Sequence, residues 1–101
     1  MMEGCPLKFR LIELFGERGT LWNYEIVKQV QIEYGMENDY GRDVLNYDLI
    51  EIMASGFIAV TDMKEDDEGI FKKGALLTQY EITSLGRLEC EEIMKKAILR
   101  R

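Results

Sequence analysis

The chain has 101 residues with 13 basic against 19 acidic side chains, a formal net charge of −6 and no histidine. That length supports one domain with one hydrophobic core, and the acidic balance argues against partners held by a broad basic surface. The two cysteines, Cys5 and Cys90, with no C-x-x-C and no histidine, exclude a zinc site of usual spacing.

No stretch approaches the ~18 apolar residues of a membrane span, and the N-terminus lacks the order of a secretory signal, so a cytoplasmic protein with no membrane partner is expected. Pro6 suits a first helical turn, and Leu7, Leu11, Leu14 and Phe15 keep a helical period, which predicts a first helix over 6–15 broken by Gly16 to Gly19. Residues 20–22 read as a short extended piece. Asn23 is the expected cap of a second helix reaching Tyr34, with Ile26, Val27, Val30 and Tyr34 inward and Gly35 as its stop. Asn38 or Asp39 caps a third helix running to about Ser55, whose buried face is Leu45, Leu49, Ile52 and Met53, and Gly56 ends it.

Residues 57–63 and 76–83 then read as two strands, joined by a charged and Gly-containing stretch over 64–75. A final helix starts near Ser84. It carries Glu89, Glu91 and Glu92 early and Lys95, Lys96, Arg100 and Arg101 late, the order a helix dipole favours. Cys90, Ile93, Met94, Ala97 and Ile98 share one face of it, while Leu88 and Leu99 fall nearly opposite. Two apolar stripes on one helix call for a cover beyond its own core. Leu88, Ile98 and Leu99 are therefore the expected dimer contacts, and 84–101 the dimerisation helix of a single domain spanning 1–101.

Three helices, a long-looped β-hairpin and a C-terminal helix make an α+β winged-helix layout. Three segments add a family likeness. Gly19-Thr20-Leu21-Trp22-Asn23-Tyr24-Glu25-Ile26 resembles the start of the second helix in PadR-like winged-helix transcriptional regulators. Leu45, Leu49, Ile52, Gly56, Phe57 and Ile58 fall where that family has its recognition-helix leucines and the Gly leading into the wing, and Tyr80-Glu81-Ile82-Thr83-Ser84-Leu85-Gly86 is similar to its Tyr-x-Leu-Thr-x-x-Gly. The resemblance implies a homodimer that presents two recognition helices to double-stranded DNA and regulates transcription, with helices 1 and 4 at the subunit interface. The chain departs from the pattern at Asn23, where the family usually has Gly, and at Leu45-Asn46-Tyr47, where it has Leu-Tyr-Pro.

By 100° steps the outward positions of helix 3 are Tyr40, Asp43, Tyr47, Glu51 and Ala54, flanked by Arg42 and Asn46. Arg42 is the one cation between Glu37 and Ser55, against five carboxylates, so this helix alone cannot supply the counterion release that drives DNA binding. Arg42, Asn46, Tyr47, Lys72 and Lys73 are the expected DNA contacts, with Lys8, Arg10, Arg18 and Lys28 as further cations able to meet the backbone. The same acidic face, with Tyr47 at its middle, suits the alternative: a winged-helix protein-interaction module that binds no DNA.

Other chemistries fit poorly. From Asp62 a calcium loop would need Gly at position six and Glu at twelve, but Asp67 and Lys73 stand there, leaving the run 62–68 as surface acids. Trp22, Tyr24 and Tyr34 could line a ligand pocket between helix 2 and the terminal helices, although aromatics at such positions more often fill a core. With no nucleophile motif, phosphate-binding Gly loop or metal ligand set, neither an enzyme nor a resident cofactor is expected.

Overall fold

In a computed structural model, residues 7–99 are described, with side chains through residue 96. The elements follow in the order α1 (Leu7–Arg18), β1 (Thr20–Trp22), α2 (Asn23–Tyr34), α3 (Asp39–Ala54), β2 (Ile58–Glu65), β3 (Leu76–Ile82) and α4 (Ser84–Leu99). They build a small α+β domain whose three strands form one antiparallel sheet in the order β1-β3-β2. Pro6, the expected helix start, and Cys5 lie outside the described residues.

The helical periods read from the sequence converge on one core. Leu11, Leu14 and Phe15 of α1, Ile26, Val27 and Val30 of α2, and Leu45, Leu49 and Ile52 of α3 are buried together with Ile58, Tyr80, Ile82 and Ile93. The Phe15 and Tyr80 rings meet edge to face at 6.4 Å, pinning α1 onto the central strand. Each fully buried large aliphatic side chain contributes roughly 1.5–3 kcal/mol against the entropy of folding.

Gly16 does not stop α1, which continues to Arg18. A Cβ at Gly16 would stand 2.5 Å from Cys90 Sγ, so this glycine is where α1 and α4 approach closely. Gly19 ends the helix instead, with φ 79° and its N–H donating to the Phe15 carbonyl at 2.7 Å. α2 begins as expected, but its cap position belongs to Trp22, whose N–H donates to the Glu25 carboxylate at 3.0 Å. Between the two candidates for α3, Asn38 is the cap, its Oδ1 accepting from Gly41 N–H at 2.7 Å.

β2 runs two residues further than the spacing predicts, and β3 ends one residue sooner. Thr83, freed from the strand, caps α4: its hydroxyl accepts from Gly86 N–H at 3.0 Å and donates to the Gly56 carbonyl at 2.6 Å. A Cβ at Gly86 would overlap the Phe57 carbonyl oxygen, so the Thr-x-x-Gly spacing closes the joint between α3's end and α4's start. Only Ile58 of β2 is buried, and the rest of that strand runs out along an arm with a bulge between Val60 and Asp62.

Candidate functional site

Because Leu45, Leu49 and Ile52 point α3 inward, its other face is presented to solvent. Tyr40 is 77% exposed and Tyr47 61%, with Asp43, Ile50 and Ala54 exposed beside them. Of the five expected DNA contacts, Tyr47 on this face and Lys72 and Lys73 in the hairpin loop are exposed, and none of the three is in an ion pair among the described residues.

Arg42 and Asn46 are otherwise engaged. Arg42 donates from Nη1 to Asp39 at 3.2 Å and from Nε to Asp43 at 3.1 Å, and its guanidinium lies 5.8 Å from the centre of the Phe71 ring. Two carboxylates thus offset its one charge. Asn46 Oδ1 accepts from Asn23 Nδ2 at 3.3 Å, which turns it toward the start of β3 rather than outward.

Asn23 carries more than a cap would. Its side chain is buried, and Oδ1 accepts from Thr78 N–H at 3.1 Å and from Tyr24 N–H at 2.9 Å, while Nδ2 donates to the Leu76 carbonyl at 3.4 Å as well as to Asn46. β1 pairs with β3 only as far as Trp22 opposite Gln79. The Asn23 amide therefore continues the ladder where the backbone of β1 turns away into α2, and it joins α2, α3 and the hairpin at one point.

The loop after β2 holds a second residue whose role the sequence conceals. Asp66, inside a run of exposed acids, is itself buried. Its carboxylate accepts from the backbone N–H groups of Ile70, Phe71 and Lys72, each at 2.8 Å, and its own backbone pairs with Ala75 and Gly74 across the loop. Burial alone would push this carboxyl up, but the converging N–H groups of Phe71, Ile70, Lys72 and Gly69 outweigh it and hold the group below its ordinary value. The sequence signal, in retrospect, is an Asp followed by Gly69 and Gly74, both at positive φ.

Trp22, Tyr24 and Tyr34 do not line a common pocket. Tyr34 packs against the core, while Trp22 stacks on Tyr24 with centroids 6.0 Å apart and Lys64 Nζ lies 5.1 Å over the Trp22 ring. Tyr24 instead lines an open groove of about 850 Å³ between α2, the start of α3 and the hairpin loop, with Lys28, Ile32, Asp39, Arg42 and Phe71.

Cations on α1 are mostly paired. Lys8 meets Glu51 at 3.0 Å, and Arg10 donates to both oxygens of Glu33 at 2.8 Å and to Glu13. The Arg10 hydrogen bond holds Glu33 down to about 2 despite the opposing effect of burial. Burial pushes the Cys90 thiol up, and Glu13, Glu17 and Glu91 add to the effect, which disfavours a reactive thiolate. On α4, Leu85 and Leu88 are exposed; the other two expected dimer contacts, Ile98 and Leu99, have side chains outside the described residues.

Among the described residues no cluster of three metal-ligating side chains occurs, and no helix is long and apolar enough to cross a membrane. No protein-family model matches the chain, and a search of curated proteins found no match.

Proposed function

We propose that the chain is a winged-helix transcriptional regulator that binds double-stranded DNA as a homodimer. The observation that carries this reading is the pairing of two exposed elements by the core's own chemistry: α3 presents Tyr40 and Tyr47, and the β2–β3 arm, tied to α3 through Asn23–Asn46 and Arg42–Phe71, presents Lys72 and Lys73. The order of elements and the β1-β3-β2 sheet are compatible with a winged helix, which supports the reading. Such a domain reads the major groove with α3 and touches phosphates with the arm. The exposed Leu85 and Leu88 of α4 supply apolar surface for the second subunit.

Fluorescence anisotropy against duplex fragments, including the DNA upstream of the chain's own gene, tests the reading. Binding should weaken as salt rises, and replacing Lys72 and Lys73 by Ala should reduce the salt slope by roughly 1–2. Absence of binding at low ionic strength would refute it.

A second reading is favoured by the engagement of Arg42 and Asn46 and by the acids around the exposed Tyr47 and Ile50 of α3. In it the domain docks protein through α3 and binds no nucleic acid. A stoichiometric protein partner lost on Tyr47→Ala, without DNA retention, would establish it in place of the first.

A further inference from the structure

We propose that Asp66 is a positioning residue of the interaction surface: through three backbone N–H groups it fixes the hairpin loop so that Phe71 seats Arg42 of α3 and Lys72 and Lys73 stand at a set distance from that helix. The inference rests on the DNA-binding reading for its consequence, but its geometry is independent of it.

The chain of contacts is continuous. The Asp66 carboxylate binds the amides of Ile70, Phe71 and Lys72 at 2.8 Å. Phe71, whose amide is the middle one, packs its ring against the core, and the Arg42 guanidinium lies over that ring. Lys72 is set directly by its own amide, and Lys73 follows it. The carboxylate itself is too buried to meet a ligand, so whatever it does for binding it does through the loop. Only Ile58 of β2 is buried, so the tip is held by the packing of Phe71 on the core and by the carboxylate inside the loop that fixes the Phe71 amide. The hairpin is then held to α3 at the start of β3 through Asn23–Asn46 and in the loop by Phe71–Arg42, and a ligand meets the two as one pre-ordered surface.

The test uses Asp66→Ala, Asp66→Asn and, as the phosphate-contact comparison, Lys72→Ala. Hydrogen exchange reads the amides of Ile70, Phe71 and Lys72; the ring-current shift of the Arg42 side chain reads its seat on Phe71; anisotropy at several salt concentrations reads duplex binding. In Asp66→Ala the three amides should exchange at least roughly tenfold faster, since they lose charge-assisted bonds. The Arg42 shift should move toward its free value, and duplex affinity should fall about fivefold with an unchanged salt slope, because no phosphate contact is removed. Lys72→Ala should reduce that slope with the amides still protected. Asp66→Asn should follow Asp66→Ala, as one amide oxygen cannot accept from all three N–H groups, and it replaces that variant if Asp66→Ala does not fold. Wild-type duplex affinity in a folded variant with released amides would overturn the inference, as would an Arg42 shift unmoved by release of the loop. If the wild-type protein binds no duplex, the DNA reading fails by itself, and the amides and the Arg42 shift still decide whether Asp66 positions α3's partner.

Discussion

Replacing Asn23 by Ala removes one side chain and unties three elements. Thr78 N–H, on a residue only 9% exposed, loses its acceptor, and the carbonyl of Leu76 and the Oδ1 of Asn46 lose a donor. A buried amide left without a partner costs about 1–3 kcal/mol, and the further lost bonds at 3.3–3.4 Å add less because of their length and partial exposure to water. We therefore expect a loss of roughly 2–4 kcal/mol, a large part of a domain stability of about 5–15 kcal/mol. At ~4–8 °C per kcal/mol this lowers the midpoint of thermal unfolding by roughly 8–32 °C, read by circular dichroism. Asn23→Asp sharpens the test. It keeps the acceptor for Thr78 but aims a carboxylate at two oxygens, so the folded state favours the protonated acid and raises its pKa above the unfolded value. Its stability should then be fuller at low pH and be lost as pH rises through the folded pKa. A destabilisation of Asn23→Ala below about 0.5 kcal/mol would refute the account, because it would mean water had replaced the whole node.

Gly86→Ala should cost more than roughly 2 kcal/mol, since its Cβ meets the Phe57 backbone rather than a movable side chain; unchanged denaturant midpoints would contradict the packing. Glu33, held down to about 2 by Arg10, contributes stability that is present above its unfolded pKa of 4.5 and is lost as pH falls from there toward 2. For so shielded a surface pair we expect ~1 kcal/mol, and Arg10→Met should remove that portion of the acid sensitivity. On the DNA-binding reading, Asp43→Asn frees Arg42 from one carboxylate, so duplex affinity should rise about three- to tenfold at low salt with the slope steeper by roughly 1. Affinity unmoved by this change would indicate that Arg42 never meets phosphate.

Much of the fold was legible because local pattern and tertiary demand agree. Leu45, Leu49 and Ile52 repeat at helical spacing and are buried; Gly35 ends α2 in the left-handed conformation, φ 68°, that glycine takes without strain. The misreadings share a cause. A glycine in a sequence signals either a break or a close approach, and at Gly16 only the presence of Cys90 across the interface decides between them. An Asn at a helix start reads as a cap, yet Asn23 turns its amide to β3, because β1 ends one residue before the ladder needs to.

The candidate surface was legible in the same proportion. The 100° rule exposes Tyr40 and Tyr47, and the i to i+3 spacing of Asp39 and Arg42 already foreshadows their ion pair. That Phe71 would lie under Arg42 is a contact between distant segments, and no local pattern encodes it. The net charge is a coarse guide for a related reason. A total of −6 counts every carboxylate alike, although Glu33 and Glu13 are committed to Arg10, and Asp66 to backbone amides within the loop. With a Debye length of about 10 Å at 0.1 M salt, what a phosphate feels is the local set of charges and not the sum. At the hairpin tip that set includes Lys72 and Lys73 beside the exposed Glu65, Asp67 and Glu68, while the buried Asp66 has its charge met by N–H groups. On α3 it includes Asp39 and Asp43 against Arg42. Both halves of the surface mix charges, but Lys72 and Lys73 are in no ion pair among the described residues whereas Arg42 holds two carboxylates, which is why, on the DNA-binding reading, the arm rather than the helix should carry the salt dependence, and why Asp66, by fixing the arm, has leverage on affinity.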